Sequence, residues 1–176
     1  MSYDLCVWDT ARHPTLPTDH NDAAEIMERL SKVNEPSNPV FAEFARALVE
    51  HHQTSSQGEP QDTKAFWGSD PVQGVAACTT AVYRIKLPSD EPGMERLAGV
   101  VMAAAKLGLM VYDDELGMCF LPDGTIYPES LREGWKADLE ELIAGPQEAK
   151  PDNRTLLQTI AGELFDALGR GNKRIY

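Results

Sequence analysis

Residues 94–129 constrain the fold of this chain more than any other stretch. Their first half places apolar side chains three or four positions apart, the spacing of one helical face: Met94, Leu97, Ala98, Val101, Ala104 and Ala105. Gly108 ends this predicted helix, because glycine adopts the left-handed backbone conformation without steric penalty. Residues 109–112 and 118–121 are mostly apolar and flank the turn-forming residues 113–117. The stretch therefore predicts a helix that leads directly into a β-hairpin.

The remaining residues predict further strands and helices on either side of this unit. The patterns indicate strands at 3–8, 66–67 and 75–87 and helices at 22–33, 39–52, 130–144 and 156–168. This order is typical of an α+β fold in which helices pack on a mainly antiparallel sheet, and a ferredoxin-like core is the closest simple topology. The strands at 75–87 and 109–112 would run parallel if both join one sheet, because a helix connects them.

All 176 residues are expected to form one domain, with residues 147–176 as a C-terminal helical extension. A chain of this length buries about 70% of the surface that its unfolded form exposes, so it needs no covalent cross-link. Cys6, Cys78 and Cys119 lie in apolar runs without a C-x-x-C motif, which predicts buried free thiols in a reducing compartment. No run approaches about 18 apolar residues, and residues 1–10 lack a signal-peptide pattern, so a cytoplasmic location is expected.

The chain is strongly acidic, with a formal charge of -12 from 16 Lys and Arg against 28 Asp and Glu. Nucleic acids and anionic membrane surfaces would repel such a chain, so neither is expected as a direct partner. A basic protein is the complementary partner, and electrostatic attraction would speed its association.

The sequence contains none of the common nucleotide, zinc or hydrolase motifs. Imidazole and carboxylate side chains do gather before the first helix, where they could converge on a metal ion: Asp9, His13, Asp19, His20 and Asp22. Their spacing matches no established metal site, and a solvated loop that caps a helix explains the same residues. His51 and His52 are adjacent on a predicted helix and point about 100° apart, so they cannot chelate one ion as an i, i+4 pair can. We therefore predict no catalytic residue, no metal and no cofactor.

Clusters of carboxylates indicate where a basic partner would bind. One cluster occupies the predicted hairpin turn, a second lies on the solvent side of the predicted helix at 130–144, and an aromatic residue between them is a suitable anchor. The predicted partner-binding residues are Asp113, Asp114, Glu115, Tyr127, Asp138, Glu140 and Glu141. The alternative is that these charges only keep the protein in solution.

The first eight residues read M-S-Y-D-L-x-V-W, and a helix later leads into G-L-x-V-Y-D, formed by Gly108, Leu109, Val111, Tyr112 and Asp113. This pair of motifs resembles a group of small bacterial proteins, mostly uncharacterised, some of which look like immunity proteins encoded beside secreted interbacterial toxins. The resemblance implies a non-catalytic cytoplasmic protein that neutralises a cognate toxin by covering its active site. The matching residues are structural, so no catalytic residue is carried over.

Two other classes of function remain open from the sequence. The first is a small enzyme that uses the loop at residues 13–22 or the pair His51 and His52. The second is a structural subunit of a homo-oligomer, such as a homodimer, whose interface would be the broad apolar stripe of the last predicted helix. The neighbouring genes discriminate among these classes, because a toxin gene favours the immunity protein and an operon of metabolic enzymes favours the enzyme.

Overall fold

The computed structural model describes residues 2–55, 63–88 and 93–137 as a five-stranded sheet with helices on both faces. The elements are β1 (Ser2–Asp9), α1 (His20–Ser31), α2 (Pro39–Ser55), α3 (Thr63–Trp67), α4 (Pro71–Ala76), β2 (Val82–Pro88), α5 (Gly93–Lys106), β3 (Leu109–Asp113), β4 (Met118–Phe120) and β5 (Ile126–Tyr127). A 3-10 turn at Glu129–Leu131 leads into helical residues 132–137. The α+β class is therefore confirmed. The C-terminal extension predicted at 147–176 lies outside the described residues.

The strands are arranged in the order β2-β1-β3-β4-β5, and all neighbours are antiparallel. In the centre of the sheet, Val7 of β1 pairs with Tyr83 of β2 and with Val111 of β3. Because β1 lies between them, β2 and β3 run parallel to each other, as predicted for the two strands that a helix connects. This split β-α-β unit also occurs in ferredoxin-like folds. The described element order otherwise differs, because four helices separate β1 from β2 and three consecutive strands follow α5.

Alternation along β1 distributes the apolar residues between two cores. Leu5 and Val7 pack in the larger core with the buried faces of α2 and α5. Cys6 and Trp8 point to the opposite face, where α1 covers them with Ala23, Ile26 and Leu30. Both faces of the central strand are therefore buried from Leu5 onward, which explains its nearly continuous apolar sequence.

Residues 63–81 differ from the sequence prediction. Phe66 and Trp67 lie in α3 rather than in a strand, and Val75 lies in α4, so the strand predicted at 75–87 begins only at Val82. For α4 the reason is local capping: the Asp70 carboxylate accepts the backbone N–H of Val72 at 2.9 Å, and a proline occupies the first turn. These helix-start signals dominate over the apolar alternation of the segment.

All three cysteines carry free thiols, as predicted. Cys6 and Cys119 are buried, whereas Cys78 is half-buried. Burial raises the pKa of Cys6 to about 11 and that of Cys119 to about 12, so both remain protonated and unreactive near neutral pH. None of the helices within the described ranges has the length and apolarity needed to cross a membrane.

Candidate functional site

The turn between β3 and β4 lies at the end of the sheet where β1 begins. Asp113, the last residue of β3, is the Cα partner of Leu5, so the turn projects beside the first residues of β1. Asp4, Asp114 and Glu115 are exposed at this end. Leu116 follows with 49% of its surface exposed. We call Asp4, Asp114, Glu115 and Leu116 the tip surface.

Asp113 was predicted to be part of an exposed acidic rim, and this prediction is wrong because its side chain is fully buried. Its Oδ1 atom accepts the backbone N–H groups of Glu115 and Leu116, each at 3.0 Å. Its Oδ2 atom is buried and has no hydrogen-bond partner within residues 2–55, 63–88 and 93–137. Burial raises the pKa of Asp113 above its ordinary value, although the two backbone bonds act in the opposite direction. The side chain therefore builds the turn and presents no charge to solvent.

Asp114 points to the opposite face of the sheet and is held by a neighbouring phenol. The Tyr112 hydroxyl donates a hydrogen bond to Asp114 Oδ1 at 3.2 Å. Burial, followed by the charge of Asp114, raises the pKa of Tyr112 to about 12. Tyr112 consequently stays protonated and remains a donor throughout the physiological pH range, which fixes the direction of an exposed carboxylate.

Of the predicted partner-binding residues beyond the turn, the structure describes Tyr127. Tyr127 of β5 pairs with Cys119, which pairs in turn with Tyr112, so the two tyrosines share one face of the sheet about 10 Å apart. Tyr127 is half-buried against the core beneath α1 and is a partial rather than a fully exposed anchor. Asp138, Glu140 and Glu141 lie outside the described residues.

Two cations border the tip surface on the side of β2. Lys86 is exposed and is the Cα partner of Asp4. Arg84 is also exposed and donates a hydrogen bond to Ser31 Oγ of α1 at 3.2 Å. The negative charge of the tip surface is therefore concentrated on the β3–β4 turn, where Asp114 and Glu115 are adjacent.

The residues of the predicted metal alternative serve separate structural purposes. Asp19 caps α1 by accepting the backbone N–H groups of Asn21 and Asp22, each at 2.9 Å. The Asp22 carboxylate in turn accepts the backbone N–H of Thr18 at 2.9 Å. Within the described part of the chain, no group of three or more His, Cys, Asp or Glu residues is placed to hold a metal ion.

Asp9 and His13 belong to a polar network with Arg12, Glu35 and Asn38, which were not predicted as site residues. The buried Asp9 carboxylate accepts a hydrogen bond from Asn38 Nδ2 at 2.9 Å, and Asn38 caps α2. His13 Nε2 lies 2.8 Å from Glu35 Oε1, and Arg12 approaches the same carboxylate at 3.5 Å. These contacts join the loop after β1 to the segment before α2. The two segments are more than 20 residues apart in sequence, so only folding brings these side chains together.

His51 and His52 occupy packing positions among α2, α3 and α5. His52 is 2% exposed, and its ring stacks on Phe66 with centroids 4.3 Å apart. The His51 ring lies 6.5 Å from that of Trp67 and against α5 at Gly99. Burial lowers the pKa of His51, and the nearby His52 and Lys106 lower it further.

Acid is expected to destabilise the fold through His51. Because its folded-state pKa is lowered from the ordinary 6.5, the unfolded state binds more protons below that pH. The contribution of His51 to stability is fully present above about pH 6.5 and is lost as the pH falls through the folded-state pKa. In urea denaturation, the contribution of His51 to the free energy of unfolding should therefore decrease between about pH 7.5 and about pH 5.5.

The variant His51→Gln separates the contribution of His51 to the pH dependence of stability from the contributions of other titrating groups. Burial raises the pKa of Glu95 and of Asp113, so each of these carboxyl groups favours the folded state as the pH falls and opposes the effect of His51. Both remain in the variant, so the difference between the two proteins reports His51 alone. A difference that does not change with pH would contradict the prediction.

No family model, curated protein or solved structure is significantly similar to this chain.

Proposed function

We propose that this chain is a non-catalytic cytoplasmic binding protein, an immunity protein that neutralises a cognate bacterial toxin by occluding it. The observation that carries the proposal is the tip surface, where the exposed Asp114 and Glu115 directly precede the half-exposed Leu116. The buried Asp113 side chain holds the backbone of this turn. Exposed carboxylates beside an exposed apolar side chain fit an interface with a basic protein, in which the apolar contact lies at the centre and the charges lie at the rim.

The charge of the whole chain supports the same kind of partner. A net charge of -12 would accelerate the approach of a basic toxin and would slow the approach of nucleic acids or anionic membranes. Long-range attraction mainly sets the association rate, whereas the packed apolar contact sets the rate of dissociation. Among the residues of the tip surface, Leu116 is the one suited to form this apolar contact and so to slow dissociation.

The hydrogen bonds beneath the tip surface support a binding role in a second way. Backbone N–H groups of Glu115 and Leu116 are held by Asp113, and the Asp114 side chain is held by Tyr112. A turn that is ordered before the partner arrives loses less conformational entropy on binding than a flexible one. The tip surface is therefore suited to form a contact without rearrangement.

Removing the two exposed charges of the turn tests the proposal. The double variant Asp114→Asn, Glu115→Gln should associate about threefold to tenfold more slowly at low salt with the purified toxin encoded beside this gene. Its association rate should also depend less on salt, while its dissociation rate changes little. Stopped-flow or surface-based kinetics at low and moderate salt measure both rates.

The matched control removes the same number of charges from another surface. Glu25 and Glu28 are exposed on α1, so Glu25→Gln, Glu28→Gln changes the net charge equally without altering the tip surface. We expect this control to slow association less than the tip variant does. Equal association rates for the tip variant and the wild type at both salts would exclude the tip surface from the interface, and failure of the wild type to bind would exclude the proposed function.

A further inference from the structure

Asp113 breaks a general rule of protein interiors, since a buried carboxylate oxygen normally has a hydrogen-bond partner. Its side chain is fully buried beside Leu5, and Oδ2 has no hydrogen-bond partner among the residues that the structure describes. The negative charges of Glu115 and Asp114 lie close enough to oppose ionisation of Asp113 further. Local violations of this kind are expected where a residue serves function rather than stability.

A second turn in the same sheet also has an aspartate that accepts a backbone N–H two residues later, but that aspartate is not buried. In the turn between β4 and β5, Asp123 Oδ1 accepts the backbone N–H of Thr125 at 2.9 Å, and Asp123 is exposed. Asp113 differs because one oxygen accepts two N–H groups, those of Glu115 and Leu116. Both of these residues belong to the tip surface.

We propose that Asp113 is the positioning residue of the tip surface: its buried Oδ1 holds Glu115 and Leu116 in the conformation that meets a basic protein partner. This inference rests on the proposed function of the tip surface. Asp113 does not contact the partner itself, because its side chain is covered on the α2 and α5 side of the sheet. Its effect on binding is transmitted through the backbone of the two following residues.

Amide hydrogen exchange tests the positioning role without any partner. In Asp113→Ala, the amides of Glu115 and Leu116 should exchange about tenfold faster than in the wild type, because their common acceptor is lost. Asp113→Asn keeps an oxygen at the same position, so exchange should stay within about threefold of the wild type. The matched control Asp123→Ala removes the acceptor of the other turn and should leave both amides unchanged. Unchanged exchange in Asp113→Ala would overturn the inference.

Binding of the purified toxin encoded beside this gene supplies the second arm of the test. Asp113→Ala retains the exposed charges of Asp114 and Glu115, so its association should keep the wild-type salt dependence. Its affinity should fall about tenfold if the binding conformation is occupied about a tenth of the time. Asp113→Asn and Asp123→Ala should bind as the wild type does.

The two arms separate the failure of this inference from the failure of the proposed function. Faster exchange in Asp113→Ala combined with wild-type affinity would show that the conformation of the turn does not matter for binding, which overturns the inference. Failure of every protein, including the wild type, to bind overturns the proposed function. Where Asp113→Ala does not fold, Asp113→Leu carries the same test, because leucine fills a similar buried volume without a hydrogen-bond acceptor. Exchange at Glu115 and Leu116 that is unchanged in a folded Asp113→Leu would also overturn the inference.

Discussion

Leu109→Asp is expected to abolish cooperative folding. Leu109 is 1% exposed at the first position of β3 and lies in the same apolar cluster as Val101 of α5. An unpaired charge buried there costs several kcal/mol, against a total stability of about 5–15 kcal/mol for a domain of this kind. Val101→Asp should have the same result, because Val101 is also buried. Loss of the thermal transition in circular dichroism is the measurement.

The matched control for this prediction is Glu28→Gln, which changes a charged residue on the surface of α1. Glu28 forms an ion pair with Lys32, and both side chains are more than two thirds exposed, so the ion pair contributes little. Its melting curve should overlay that of the wild type. A cooperative transition in Leu109→Asp at the wild-type temperature would show that the β3 core is misplaced.

Gly99→Val is expected to cause the second-largest loss of stability. Gly99 is buried in α5, and a Cβ atom there would lie 2.8 Å from His51 Cδ2 and 3.3 Å from Trp67 Cη2. The His51 ring packs near the fully buried Trp67, so the two side chains have little space in which to move away. Overpacking of this kind costs about 1–3 kcal/mol, which exceeds the small gain in helix propensity over glycine.

Gly134→Val provides the same substitution at an exposed helical position. Gly134 lies within helical residues 132–137, and among the described residues a Cβ atom there would meet no group within 4 Å beyond its own helix backbone. Its stability should therefore stay within about 0.5 kcal/mol of the wild type or increase slightly. Urea denaturation of both variants gives the comparison, and equal stabilities would show that His51 and Trp67 do not crowd Gly99.

The helix-to-hairpin unit could be predicted because its signals are local. Gly108 adopts a φ of +70°, as its position between α5 and β3 requires, and β3 follows at once. The apolar stripe of α5 and the turn residues are likewise contained within a few positions of the sequence. A single sequence carries such information well, because each signal acts on its immediate neighbours.

The burial of Asp113 could not be predicted from the same stretch. A turn-forming aspartate is normally exposed. Here Asp113 pairs with Leu5 of the distant β1, so it becomes the last residue of β3 and its side chain is buried with the strand. Asp4 was missed for a related reason. Alternation along β1 indicates that Asp4 shares a face with Cys6, but its position near Asp114 follows only from the antiparallel register of β1 and β3.

The interior position of β1, between β2 and β3, has a consequence for how the chain folds. Both of these neighbouring strands are made much later than β1, since Trp8 pairs with Val82 and with Met110. Long loops must close before β1 gains these hydrogen bonds, which slows its incorporation. The contiguous elements α5, β3 and β4 need no such closure and can form first. During synthesis β1 therefore remains unpaired until residues 82–113 have been made, and its strand edges are exposed to aggregation in the meantime.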